Sequence, residues 1–378
     1  MKTIMPEPFT DLTDLFRQNR CNTRFVLKAG TYTCQSSRSF QDLDWCVLGN
    51  DCELIGAGSD ATSIEMEDPS EDQVSPSQIE WLTAGSRLGN SHYSTVMGLT
   101  VIIPIYYPEP KAVTGHVGVH IWSDRCQVGD LRILNVSGAR EKSGAPSSEG
   151  FGLLVNQSGV PAVVGGSEIN GVRVFNAITK RDENYVCAVY VGYKTPKLRS
   201  NLRNVEIANT GTKPAHAALG VNGMVSASGI RASGKWNRGI YCDVTGGSCT
   251  TISDSDFEVE RVGIEFRGGA DVRWENITVS GSRFRIAPRG GAYGALLVLA
   301  DDSQAKNAAE FESVVASGCV VYCDPDPSTA TDFYTGSLDS SKVSRCGLHQ
   351  CLFVGPGGDG VKPAPVSKLS AKSKFFVR

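Results

Sequence analysis

The chain has no excess of positive charge: 37 Lys and Arg against 40 Asp and Glu leave a formal net charge of −3 and a pI near 6.0. Nucleic-acid binding leans on a dominant basic field, so that class is excluded. No apolar run approaches the ~18 residues that a membrane span requires. The opening, Met1-Lys2-Thr3-Ile4-Met5-Pro6-Glu7-Pro8, lacks the apolar stretch of a secretory signal, so synthesis in the cytoplasm without a signal peptide is expected. Among 12 cysteines no CxxC pair occurs. Cys319/Cys323 and Cys346/Cys351 are spaced poorly for zinc, so neither metal nor cofactor is expected. Most of the cysteines sit in apolar strand-like runs and read as reduced, buried thiols.

No segment of the repetitive middle keeps a 3.6-residue apolar period, which excludes a helical solenoid, and the Trp-Asp signature of β-propeller blades is missing. What is present is turn-forming residues, 41 Gly and 17 Pro in 378 residues, and a two-part repeat. Its first part is a short strand: Gly118-Val119-His120-Ile121-Trp122, Gly152-Leu153-Leu154-Val155-Asn156, Ala188-Val189-Tyr190-Val191-Gly192, Ala218-Leu219-Gly220-Val221-Asn222, Gly239-Ile240-Tyr241-Cys242-Asp243 and Gly263-Ile264-Glu265-Phe266-Arg267. The second part reads Val128-x-x-Leu131-x-Ile133-x-Asn135, Ile169-x-x-Val172-x-Val174-x-Asn176 and Leu202-x-x-Val205-x-Ile207-x-Asn209, with looser copies after it. Successive first parts start 34, 36, 30, 21 and 24 residues apart. Two-residue alternation means strands with one buried face. Strands this short bury their apolar side only by stacking on the next copy, which predicts an all-β, single-stranded parallel β-helix. Asn135, Asn176 and Asn209 read as an internal asparagine ladder across stacked coils.

The start of the chain resembles the first coil of the pectate-lyase-like right-handed β-helix superfamily. Thr10-Asp11 precede Leu12, Leu15 and Phe16 on one helical face, and Phe25-Val26-Leu27-Lys28-Ala29-Gly30-Thr31-Tyr32 and Glu53-Leu54-Ile55-Gly56-Ala57-Gly58 follow. The resemblance implies a right-handed solenoid closed by a short amphipathic capping helix, which protects an open end from edge pairing. The resulting division is an arm and cap over 1–24, a β-helix over 25–354 with a side loop at 67–93 around Trp81, and a basic Gly/Pro/Lys extension over 355–378. The superfamily holds lyases, hydrolases, epimerases and phage tailspikes, so fold alone assigns no chemistry. Its catalytic motifs are not reproduced: Thr114-Gly115-His116-Val117 is an imperfect Gly-His-Gly, Asp301-Asp302 follows where it should precede, and Arg285-Ile286-Ala287-Pro288-Arg289 departs from the lyases' Arg-x-Pro-x-x-Arg.

With the apolar residues of the first part inward, their neighbours form two outer files, His120, Leu154, Tyr190, Gly220, Tyr241, Glu265 and Trp122, Asn156, Gly192, Asn222, Asp243, Arg267. At a coil rise of about 4.8 Å, aromatic faces interleave with amides and carboxylates, which suits sugar rings with apolar faces and hydroxyl rims. His120, Trp122, Asn156, Tyr190, Asn222, Tyr241 and Arg267 are the candidate ligand-binding residues. Asp243 and Glu265, roughly 7–8 Å apart as diagonal neighbours, are the candidate catalytic pair, at a separation that fits inverting hydrolysis. Asp254, Asp256, Glu258 and Glu260 alternate on another outer face, as a cation site or a solvated acidic surface.

Three readings follow. One is a virion-surface tailspike, fibre or decoration protein that presents a glycan-binding face to a polysaccharide or cell-surface glycan, trimerises, and contacts other virion subunits through 355–378. The others are a polysaccharide-active hydrolase or lyase using Asp243 and Glu265, and a purely structural β-helix.

Overall fold

The computed structural model describes residues 1–35, 37–38, 47–48, 51–67, 79–84, 93–103, 115–136, 149–155, 165–176, 185–192, 197–211, 214–242, 247–268, 272–287, 294–301, 309–323, 330–334 and 343–354. The chain divides into two units, Met1–His216 and Ala217–Arg378. Each contains a stretch of parallel β-helix.

In the first unit Ile79–Ala84, Gly115–Ile121, Glu149–Val155 and Tyr185–Gly192 pair side by side, all parallel. A second set joins Thr95–Ile102, Gln127–Val136 and Glu168–Asn176, and the last continues onto Ser200–Arg203 and Glu206–Asn209. Strands of the two sets alternate along the chain, so each coil lends one rung to each sheet, as a solenoid requires. The second unit repeats the scheme. Trp236–Cys242, Val262–Gly268, Gly294–Asp301 and Ala330–Tyr334 form one parallel sheet. Arg231–Gly234, Asp256–Val259, Arg283–Ile286, Val320–Cys323 and Leu352–Val354 form another parallel run.

The second part of the repeat is two strands joined by a corner. In Val128-x-x-Leu131 and its copies the apolar residues stand three apart, yet Val128, Leu131, Ile169, Val172, Leu202 and Val205 are all buried. The residue before each second apolar position has a left-handed backbone: Asp130, Gly171 and Asn204 at φ 42, 67 and 54°. The second unit continues with Gly229, Asp254, Gly281, Gly318 and Gln350 at φ 65, 50, 56, 60 and 52°. A left-handed residue turns the chain and resets the in/out alternation, and Gly, Asn and Asp tolerate that conformation best.

The internal ladder is of hydroxyls and thiols as well as amides. Thr23, Cys52, Ser94, Cys126, Ser167 and Ser200 each precede residues paired in register, and all are at most 2% exposed. Ser200 Oγ accepts from the Ser167 and Gly166 amides at 3.1 and 3.2 Å. A thiol fills the same small site, and burial pushes Cys126 up to about 12, so it stays protonated. The asparagines are only partly stacked. Asn176 and Asn209 are register partners, but a bulge shifts the pairing so that Val136, not Asn135, meets Asn176. Asn135 instead turns left-handed at φ 65° and its Nδ2 donates to the Ile103 carbonyl at 3.1 Å.

Helix α1 (Leu12–Gln18) is capped by Asp11, whose carboxylate accepts from the Thr13 amide at 2.9 Å. It buries Leu12, Thr13 and Phe16, with the Phe16 ring edge-on to Phe25 at 4.9 Å. The interval 67–93 is not wholly a side loop. Ile79–Ala84 is a rung paired with Gly115–Ile121, and its Leu82 and Ala84 are fully buried. The alternation of those two residues gives the segment a buried edge to contribute, which an isolated Trp81 cluster did not suggest. The extension 355–378 lies outside the described residues.

Candidate functional site

The outer files register as expected within each unit. His120 partners Leu154, and Leu154 partners Tyr190, while Tyr241 partners Glu265. Phe266 packs its ring against Trp274 at 5.3 Å, so Glu265 and Arg267 on either side point the other way. The files are nevertheless not an open groove. His120 and Leu154 are 0% exposed, and Trp122, Tyr190, Asn222, Tyr241 and Glu265 are all buried. His120 stacks on Trp122 at 3.8 Å, and Tyr190 meets Phe151 edge-on at 5.6 Å. Further along this file Val298 joins Val262 and Ala295 in a buried apolar cluster. A parallel sheet covered on both faces reads as continuous apolar runs, and Ala295-Leu296-Leu297-Val298-Leu299-Ala300 is one. That signal was in the sequence, and solvent exposure is the part of the expectation that gives way. Asn156 and Asp243 lie outside the described residues.

Glu265 holds the centre of an ion-pair triad. Its Oε2 accepts from Arg238 Nε and its Oε1 from Arg267 Nε. The Arg238 guanidinium also lies over the Tyr241 ring, 5.3 Å from its centroid. Side-chain exposures of 4% for Glu265, 14% for Arg238 and 32% for Arg267 place the triad largely out of water. Both carboxylate oxygens are already engaged by guanidinium donors, an arrangement that fixes the face of the sheet.

An open polar surface lies elsewhere in the second unit. Strands Arg231–Gly234, Asp256–Val259, Arg283–Ile286 and Val320–Cys323 set Arg231, Asp256 and Arg283 in one row, and Glu258, Arg285 and Tyr322 in the next. Between the rows Ala232, Phe257, Phe284 and Val321 point inward and are buried, with Phe257 and Phe284 stacked at 5.3 Å. This backing holds the outer side chains at the spacing of the rungs. Arg283 grips Asp256 through Nε at 2.5 Å and Nη2 at 2.9 Å, and the carboxylate raises the guanidinium further above its ordinary value. Arg285 faces Glu258 at 3.5 Å, whose other oxygen accepts from the Gly234 amide at 3.1 Å. Tyr322 is 41% exposed. Together these residues and Ser233 line a concavity of about 440 Å³.

The acidic face expected from Asp254, Asp256, Glu258 and Glu260 is therefore interleaved with arginines from the next coil, and Asp254 is a left-handed corner. Among the described residues no group of three or more His, Cys, Asp or Glu is placed to hold a metal. With three guanidiniums to two carboxylates, the concavity offers planar donors, acceptors and one aromatic face. Those groups can hydrogen-bond vicinal hydroxyls, pair with an acidic sugar and stack on a ring.

No protein-family model matches the sequence, and no curated protein matches it significantly. Solved structures with loosely similar folds include the catalytic domain of a GH87 alpha-1,3-glucanase in complex with nigerose, at 12% identity and TM-score 0.32 over 92% of this chain and 67% of that one. The A-module of Azotobacter vinelandii mannuronan C-5 epimerase AlgE4 gives 13% and 0.37 over 86% and 88%. Bacteriophage CBA120 tailspike protein 3 gives 10% and 0.33 over 90% and 58%. At these scores the likenesses carry no argument about ligand, reaction or assembly.

Proposed function

We propose that the protein binds a polysaccharide in the concavity of the second unit, and that it presents this surface from a virion as a trimeric tailspike, fibre or decoration protein. The single observation that supports the binding site is the row of Arg231, Asp256 and Arg283 beside Glu258, Arg285 and Tyr322 on a rigid stack of rungs. An extended ligand suits this stack of rungs, because each coil sets a polar side chain about 4.8 Å from the next. The excess of one guanidinium favours glycans that carry a carboxylate or sulfate. The virion setting rests on the resemblance to a superfamily that holds phage tailspikes.

The test is a panel of neutral and uronate-containing oligosaccharides titrated against the wild type, Tyr322→Ala and the double variant Arg283→Ala/Arg285→Ala. Each variant is expected to weaken binding about tenfold or more while the unfolding midpoint moves little. Binding that is equal in all three proteins, or absent from the wild type, overturns the reading. Light scattering that shows only monomer at high concentration removes the trimeric part.

A further inference from the structure

The left-handed corners of the second unit each place the following residue inside the coil. After Asp254, Gly281, Gly318 and Gln350 these residues are Ser255, Ser282, Cys319 and Cys351. The first two form a hydroxyl ladder: the Ser255 amide donates to Ser282 Oγ at 3.3 Å, and each hydroxyl donates to the carbonyl two residues back, at 2.7 and 3.0 Å. The two thiols keep that bond, Cys319 Sγ to the Ser317 carbonyl at 3.6 Å and Cys351 Sγ to that of His349 at 3.7 Å. They also stand on adjacent rungs. Val320 partners Leu352, the Leu352 amide donates to the Cys319 carbonyl at 2.8 Å, and the Gly318 amide donates to that of His349 at 2.9 Å.

Register neighbours of parallel strands lie about 4.8 Å apart, within the roughly 4.4–6.8 Å between Cα atoms that a disulfide accepts. The two sulfurs differ in character. The Cys319 thiol beside Cys351 lowers the latter to about 7, helped by backbone donors, whereas the same contact and burial raise Cys319. Cys319 is 0% exposed and Cys351 is half-buried. One thiol is therefore reachable and nucleophilic, and the other is buried on the adjacent rung.

We propose that Cys319 and Cys351 form a reversible disulfide that ties the final described coil to the one before it, by exchange with a low-molecular-weight disulfide of the glutathione class. The Cys351 thiolate attacks one sulfur of oxidised glutathione, forming a mixed disulfide and expelling a glutathione thiolate. Cys319 then attacks the Cys351 sulfur, its proton passing to the departing glutathione thiolate. That step forms the intrachain bond, breaks the mixed one and releases the second glutathione. Two protein thiols are oxidised and one external disulfide is reduced to two thiols.

The experiment treats the reduced full-length protein with oxidised glutathione, followed by non-reducing digestion and mass spectrometry. A peptide joining Cys319 to Cys351, lighter by two hydrogens than its two reduced halves together, and reversal by dithiothreitol are expected. Amide exchange at Leu352–Val354 should slow by about tenfold or more once the rungs are tied. Cys319→Ser, which places the serine of the preceding rungs at this one, should stop at a glutathione adduct on Cys351; Cys351→Ser should form neither the crosslink nor an adduct on Cys319. A wild type that halts at the adduct, that leaves both thiols untouched, or that links other cysteines overturns the proposal.

Discussion

Replacing Glu265 separates a carboxylate that anchors structure from one that does chemistry. In the triad it accepts charge-assisted hydrogen bonds from Arg238 and Arg267 with its own side chain 4% exposed. Such bonds contribute roughly 1.5–3 kcal/mol each. The Arg267 bond belongs at the low end, because that guanidinium is 32% exposed and regains water when released. Arg238, 14% exposed, regains much less. Glu265→Ala should therefore cost about 3 kcal/mol, the lower edge of the range for breaking a buried pair. Glu265→Gln should cost nearly as much, since its amide nitrogen turns a donor toward a donor. Urea denaturation, with fluorescence and circular dichroism followed together, reads the loss. If both variants unfold within ~0.5 kcal/mol of the wild type, the range of a neutral surface change, the triad does not anchor the sheet. Sugar release abolished at unchanged stability would then restore Glu265 to a catalytic role.

Trp122 should behave as a core residue. At 5% exposure and stacked on His120, its replacement by Ala should cost about 3 kcal/mol, while oligosaccharide affinity of the folded fraction stays unchanged; a neutral unfolding midpoint would refute this. Asp130 accepts from the Ser59 hydroxyl at 2.6 Å and the Ser59 amide at 2.9 Å, which with nearby Arg173 holds its carboxyl below the ordinary value. A depressed folded value means stabilisation that is present above the unfolded value near ~3.9 and is lost as pH falls through the folded one. The stability difference between wild type and Ser59→Ala should therefore shrink below about pH 4; a difference constant to pH 2 would remove the linkage.

The architecture was legible because parallel stacking forces a repeat, and the repeat survives wherever a residue must point inward. What remained hidden was the corner. In Val128-x-x-Leu131 and its copies the spacing of three interrupts the two-residue alternation, and the third position runs Asp130, Gly171 and Asn204, residues that accept a left-handed backbone. Sheet coverage was missed for a related reason. Alternation assigns Leu154 to an outer file, yet Gly152-Leu153-Leu154-Val155 is apolar throughout and buried, and a rung buried on both faces has no polar side to show.

The open surface was legible in a form that alternation arguments do not use, namely the comparison of successive coils. Ser255-Asp256-Phe257-Glu258-Val259 and Ser282-Arg283-Phe284-Arg285-Ile286 are the same rung with its outer charges reversed. Inward residues match like with like, since Phe257 stacks on Phe284 at 5.3 Å, whereas outward residues match opposite charges, as Asp256 does with Arg283. Like charges at rung spacing would repel, so a charge inversion between otherwise matching rungs marks a face left in water. The same comparison applied to the next rung, Cys319-Val320-Val321-Tyr322-Cys323, finds the charged pattern ending at an exposed tyrosine. A sugar ring stacked on Tyr322 would thus have guanidinium and carboxylate groups on the coils to one side of it, which gives the surface a direction along the stack as well as a position.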